Sequence, residues 1–486
     1  MTIRKQAVSG VKWTSVSTIT LAVSALLKIA VLARFLDPAD FGLMALITFV
    51  LGFMDLFMDM GITSAILHKQ NITKKEYASL YWLNIGFSVL SFSVVALLSP
   101  LIASFYNELE LTDLIPLSAV VILFSAIGRQ YKTVFQKALR FKLIAIVDIS
   151  SIVISLISAI WFAVFDFGVY ALVYAALIQY GINNIAYFLL GVKNNPVLFH
   201  YKFADTKPFL KIGMYQVGGQ VVNYINRDLD VLIIGKFFGA EILGGYSLAK
   251  QLVKRPTGII DPIINKVAIS ILPRYQSDNN LLLKYFNSLI KNLCIVNAFV
   301  YGSIAIAAPF VVFVLYGSGY DYITVLVRLF SVFFYFRSVS SVVGVLSITK
   351  GRTDLEFYWN ILIAIIMPTV MFFAVNQGTE IIATLIGVTQ MLLVFPAWYM
   401  FYYKQIEMVF VTYIKNVFIP FFIAGLFFLL FYFSGFESVV FQIVCCLSLF
   451  GALSFYLLKT DKDVFKAIAS HKYIKLFNKN KLRNKN

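Results

Sequence analysis

The chain has 486 residues, 60% of them hydrophobic and 13% charged, with a mean hydropathy of +0.83. A water-soluble protein of this length has too little interior for that much apolar surface, so lipid is the solvent for most of it. The formal charge of +17 comes without a nucleic-acid recognition module, which removes that class of partner.

The first residues, MTIRKQAVSGVKW, are basic and run into an apolar stretch too long for a signal-peptide core. They read as the start of a first, uncleaved membrane helix. Fourteen apolar runs follow in chain order, over roughly 12–34, 41–63, 79–103, 113–135, 143–165, 168–190, 209–235, 240–265, 286–315, 321–348, 356–375, 380–402, 412–434 and 437–458. Each is near the ~20 residues that carry a helix across a bilayer core. None alternates at period two, so a membrane barrel is excluded. The expected fold is an all-α polytopic membrane protein of about 14 helices.

An even number of passes puts both termini on one side, and the basic residues choose it. About 32 of the 41 Lys and Arg fall on the N-terminal side, in segments such as KQNITKK, RQYKTVFQKALRFK and the tail from Lys459. The opposite connections keep Arg34 and Lys236, while NELELTD, FDFG, NQGTE and SGFE hold none. This predicts a membrane protein with both termini on the cytoplasmic side, N-in and C-in. The five Trp (13, 82, 161, 359, 398) fall near helix ends, where interfacial anchors belong.

Cys294, Cys445 and Cys446 lie in apolar segments at spacings that suit neither a metal site nor a disulfide. The three His (68, 200, 471) sit in loops or the tail, and no nucleophile–base pair is apparent. A membrane-embedded enzyme is therefore a weak reading, and no catalytic residue, metal or cofactor is expected.

ARFLDPADFGLMAL (33–46) and GKFFGAEILGGYSL (235–248) align without gaps at an offset of 202 residues. Each joins the first two helices of a half, so the halves form a parallel repeat. The expected organisation is an N-lobe over 1–200, a C-lobe over 201–405, two appended helices over 406–458 and a basic tail over 459–486.

Polar residues fall in stripes at helical spacing. The seventh helix carries Gln216, Gln220, Asn223, Arg227 and Asp230; the eighth carries Tyr246, Lys250, Lys254, Thr257 and Asp261. The first carries Trp13, Ser17, Thr20, Ser24 and Lys28; the second carries Thr48, Gly52, Asp55, Asp59 and Thr63. Intramembrane charge is costly and faces a bundle interior or a watery space, so the four stripes together predict a central hydrophilic cavity. Arg328 of the tenth helix is a further candidate, whereas Arg337, nine residues on, faces roughly the other way. Arg227 beside Asp228 and Asp230 reads equally as an ion pair or a site. Lys250 and Lys254, one turn apart, repel unless an anion or facing carboxylates stand nearby. Asp55 is expected to pair with them across the cavity or to carry a coupling proton, and coupling to H+ or Na+ stays open.

The segments LARFLDPADFGLMAL, NRDLDVLIIGKFFGAEILGGYSLAKQL and INKVAISILPRYQ resemble the polysaccharide-flippase branch of the MOP exporter superfamily. The look is of Wzx-type flippases, particularly the colanic acid exporter-like branch, over about the first 400 residues. The resemblance implies a V-shaped, two-lobed fold working by alternating access. Its cargo would be an undecaprenyl-diphosphate-linked oligosaccharide, an O-antigen, capsule or exopolysaccharide repeat unit, moved from cytoplasmic to periplasmic leaflet. Its partners would be that lipid-linked oligosaccharide, membrane lipids and the polymerase or export machinery of the same pathway. Cationic groups of such cavities map onto Lys28, Arg227, Lys250, Lys254 and Arg328, with Gln216, Gln220, Asn223 and Tyr246 left for sugar hydroxyls. Asp230 is then expected to orient Arg227, leaving Lys250 and Lys254 for the diphosphate. A multidrug or small-molecule exporter of the same superfamily is the alternative, and a membrane-embedded polysaccharide polymerase or transferase is the alternative of another class.

Overall fold

The computed structural model describes residues 3–460 apart from 60, 70, 194 and 437. Helices α1 (Ile3–Leu32), α2 (Pro38–Asp59), α3 (Lys74–Tyr106), α4 (Leu111–Lys137), α5 (Phe141–Val164) and α6 (Tyr170–Val192) come first. Helix α7 runs Phe203–Lys254 and is broken at Gly239. Then follow α8 (Thr257–Ile271), α9 (Asn279–Ile306), α10 (Thr324–Ser340), α11 (Thr353–Ala374), α12 (Thr379–Leu392), α13 (Phe410–Ser434) and α14 (Val439–Thr460). The basic tail beyond Thr460 lies outside the described residues.

Among the described residues, thirteen continuous stretches are long and apolar enough to cross a membrane. One of them, Val217–Pro262, has 46 residues, about 69 Å at the rise of an α-helix and more than twice a bilayer core. Gly239 divides it, with φ 80° and ψ 177°, a region that only glycine occupies without strain. Counted by arms, the described chain has the fourteen passes its hydropathy predicts.

Boundaries differ where proline intervenes. The eighth helix was expected without interruption over 240–265, but α7 ends at Lys254 and α8 begins at Thr257. Residues 255 and 256 form a turn there, and Pro256, which lacks an N–H, cannot donate to the helical ladder.

The described chain falls into two compact units that interleave along the sequence. The first takes the chain up to Leu252, with Val312–Ile323 and Trp359–Ile382; the second takes Val253–Val311, Thr324–Tyr358 and the remainder from Ala383. Residues 201–252 therefore pack with the first six helices. In the first unit, α3 to α6 close around Tyr81, Tyr131, Phe135, Ile144, Val147 and Tyr187. The start of α7 is anchored through Phe209 to Ile62, Ala65, Ile66 and Leu80. The short helix Ile62–His68 has its orphan carbonyl ends met by Lys137, which donates to the Ile66 and Lys69 carbonyls. In the second unit, α9 packs against α10, α13 and α14. There the Tyr335 hydroxyl donates to the Val417 carbonyl at 2.6 Å, and Lys291 donates to the carbonyl of Thr460 at 3.1 Å. All three cysteines are unpaired, as their spacing predicts.

Candidate functional site

Arg227, Asp228, Asp230 and Lys250 of α7 come together in the first unit, because the turn at Gly239 folds the two arms of α7 back on each other. Lys250, on the second arm, reaches Asp230 on the first at 2.6 Å. Tyr246, one turn earlier, donates its hydroxyl to the other oxygen of Asp230 at 2.8 Å. Lys250 also donates to the Arg227 carbonyl at 2.9 Å and lies 3.5 Å from Asp228. Only 8% of the Lys250 side chain and 4% of the Asp230 side chain are exposed. This is a closed ionic knot, and both of its charges are balanced.

Arg227 behaves differently. Its Nε donates to Asp228 at 2.7 Å, and 45% of its side chain is exposed. The guanidinium lies 5.0 Å over the ring of Tyr224, whose hydroxyl donates to the Phe49 carbonyl of α2 at 2.9 Å. Phe49 and Phe53 pack against that ring in turn. The terminal nitrogens of Arg227 make no hydrogen bond among the described residues. Asn223 is exposed and Gln220 half-buried along the same arm, while the side chain of Gln216 lies outside the described residues.

Two expectations are corrected by this arrangement. Asp230 does not orient Arg227: its partners are Lys250 and Tyr246, and the neighbour of Arg227 in sequence, Asp228, takes that role. Helical spacing places Arg227 and Asp230 on one stripe, but it cannot show that the second arm folds onto Asp230 and withdraws it. Asp55 does not pair with Lys250 or Lys254 either. It binds Arg129 of α4, because α4 packs against α2. Asp59, one turn on, accepts from Thr63.

The other candidates are dispersed. Lys28 is half-buried on α1 and lies 3.5 Å from the Ser155 hydroxyl of α5. Lys254 is half-buried at the end of α7, where its carbonyl accepts from Thr257. In the second unit, Arg328 of α10 stacks on Phe428 and Tyr432 of α13, at 5.6 and 5.7 Å. Asp261 of α8 accepts from Ser338 at 2.6 Å.

Sequence reasoning missed Arg129, counting it among the basic residues that set orientation. A signal was available. Arg129 falls inside a predicted span, and an intramembrane guanidinium demands an acid; Asp55, the acid it takes, was assigned to Lys250 and Lys254 instead. A second network is structural, as the positions of Asn183 and Asp148 suggest: Asp148 accepts from Lys132, Asn183 and Tyr187, tying α4, α5 and α6 together. No group of three or more metal-ligating side chains occurs among the described residues.

Comparison with known proteins gives a consistent picture. Residues 31–325 match the family model described as polysaccharide biosynthesis protein. The chain is 29% identical to the teichuronic acid biosynthesis protein TuaB of Bacillus subtilis, over 78% of each chain. It is 28% identical to the lipopolysaccharide biosynthesis protein WzxC of Escherichia coli, over 74% of this chain and 73% of that one. Among solved structures, the lipid II flippase MurJ in an inward closed conformation superposes with a TM-score of 0.75 at 14% identity, over 92% of this chain and 98% of that one. At that identity the likeness establishes the fold alone.

Proposed function

The chain belongs to the polysaccharide biosynthesis protein family, and from that premise we propose that it is a flippase for a polyprenyl-diphosphate-linked oligosaccharide. It sits in the bacterial cytoplasmic membrane with both termini inside. By alternating access it carries the repeat unit from the cytoplasmic to the outer leaflet, while the lipid tail stays in hydrocarbon. The cargo class is supported by relatives named for teichuronic acid and lipopolysaccharide biosynthesis.

The observation that carries the reading is Arg227. A guanidinium on a membrane-spanning arm, half open and seated on a tyrosine ring, keeps a two-pronged donor edge for a diphosphate. Lys250 holds that arm in place and does not meet the cargo. Asn223 and Gln220, on the same arm, are suited to sugar hydroxyls.

Complementation of a strain lacking its own flippase tests this. Arg227→Ala should insert and stay folded, since its side chain is half open, yet lower surface polysaccharide roughly ten- to hundred-fold, the worth of one charged hydrogen-bonding contact. Lipid-linked repeat units should accumulate inside. Unchanged surface polysaccharide in the deletion strain sinks the flippase reading. Drug resistance that follows expression, with polysaccharide untouched, replaces it with small-molecule export.

A further inference from the structure

The two copies of the repeated motif touch each other, and they do so reciprocally. A Cβ built on Gly42 would fall on the carbonyl oxygen of Ala240, and one built on Gly244 would fall on the carbonyl oxygen of Pro38. Gly42 and Gly244 are equivalent positions at the offset of 202 residues, and so are Pro38 and Ala240. Each glycine therefore meets the partner of the other, which is the signature of a two-fold contact.

The motif's cations repeat the exchange with different chemistry. Arg34 donates to the Val314 carbonyl at 3.0 Å, near the end of the short helix Ala308–Tyr316 that follows α9. Lys236, its equivalent, donates to the Phe105 carbonyl near the end of α3 and lies over the Phe105 ring. Each cation thus crosses to the opposite repeat and meets the carbonyl end of a helix there, where positive charge is favoured. Bare backbone contact and charged contact obey the same local symmetry, and they are independent of each other.

We propose that this seam is the outer gate of the protein: a two-fold glycine contact at which the repeats part, held shut by Arg34 and Lys236 as paired latches. Backbones that meet with no side chain between them leave no passage for an oligosaccharide. Equal latches on both sides mean that neither repeat is the fixed one. Beneath the seam lie Leu46 and Leu248, equivalent residues that are each 1% exposed. The outward location rests on the orientation proposed above.

The test is labelling with a membrane-impermeant maleimide added outside intact cells. Single cysteines at Leu46 or Leu248 are placed in a chain whose Cys294, Cys445 and Cys446 are replaced by Ala. Labelling should be low in that background. It should rise roughly three-fold with Arg34→Ala and to a similar extent with Lys236→Ala, each removing one cation at a helix end. Both together should give roughly ten-fold, and Gly42→Ala or Gly244→Ala should raise it at least as far. The latch variants alter peripheral side chains, so they keep the test valid if a glycine variant fails to fold. Unchanged labelling in the double latch variant overturns the gate, as does a response confined to one latch. Labelling reads the seam without transport. A chain that labels as expected but fails in complementation loses the flippase reading, not the gate.

Discussion

Asp230 and Lys250 show why a charge read from sequence is not yet a binding group. Their pair is buried, and breaking it leaves one charge in a low-dielectric site at about 3–5 kcal/mol, whereas replacing both partners with apolar groups of similar size is far milder. Lys250→Ala should therefore lower the thermal stability of the purified protein much more than the double variant Lys250→Met/Asp230→Leu. Melting curves in detergent decide it, and equal losses would mean the pair is not a closed unit. The stripe of Gln220, Asn223, Arg227 and Asp230 was legible from spacing alone, but the partner of each charge was not. Partner choice depends on which arm folds onto which face, and a period of 3.6 carries no such information. Asp55 is a second residue-scale case, with 54% of its side chain exposed beside Arg129. Coupling by a proton or sodium ion at Asp55 requires that the pH or sodium dependence of transport vanish in Asp55→Asn. A dependence that persists unchanged assigns Asp55 to pairing alone.

At the scale of elements, the break in α7 depends on one residue. Nothing lies within 4 Å of a Cβ built on Gly239, so Gly239→Ala meets no clash and its cost is backbone strain alone, about 1–3 kcal/mol. A melting temperature unchanged by that substitution would show that the turn has another solution. Hydropathy located the break, since GKFFG sits between two apolar runs, but Pro256 was passed over inside an apolar window. The loop that enters α7 offers a pH-dependent element outside the membrane. His200 lies 3.0 Å from Asp205, which also accepts from Ser79, while Lys202 donates its backbone N–H to Ser79. The hydrogen bond with His200, then that with Ser79, holds the Asp205 carboxyl below its usual range. A depressed carboxylate stabilises the fold above its unfolded pKa of about 3.9, and the contribution is lost as pH falls through the lower folded value. Limited proteolysis of residues 195–202 should accordingly speed up in Asp205→Ala at neutral pH. In the parent chain it should do so only under strongly acidic conditions, and cleavage that ignores both changes removes the clasp.

The whole molecule turns on parity. If the 46 residues of Val217–Pro262 made one crossing, every later helix would be reversed and the termini would face opposite sides. Two physical arguments exclude that. A single helix of that length is about 69 Å long, twice what a bilayer core accepts. The basic residues of the later connections, including Lys350, Arg352 and Lys404, would also face outward, against the charge bias that orients membrane chains. Two short crossings instead keep the second repeat parallel to the first, and only parallel repeats can place Gly42 and Gly244 in reciprocal contact about an axis along the membrane normal. Helix number, charge bias and the seam are thus one statement about topology, made at three levels of evidence. Fusions carry it to experiment. A fluorescent protein joined after Thr460 should light up in the cytoplasm. Alkaline phosphatase should be active when joined after Glu108, Asp166 or Gly239, and inactive after Lys69 or Lys350. Phosphatase that is active after Lys350 while remaining inactive after Lys69 would reverse the second half, and with it the two-fold seam.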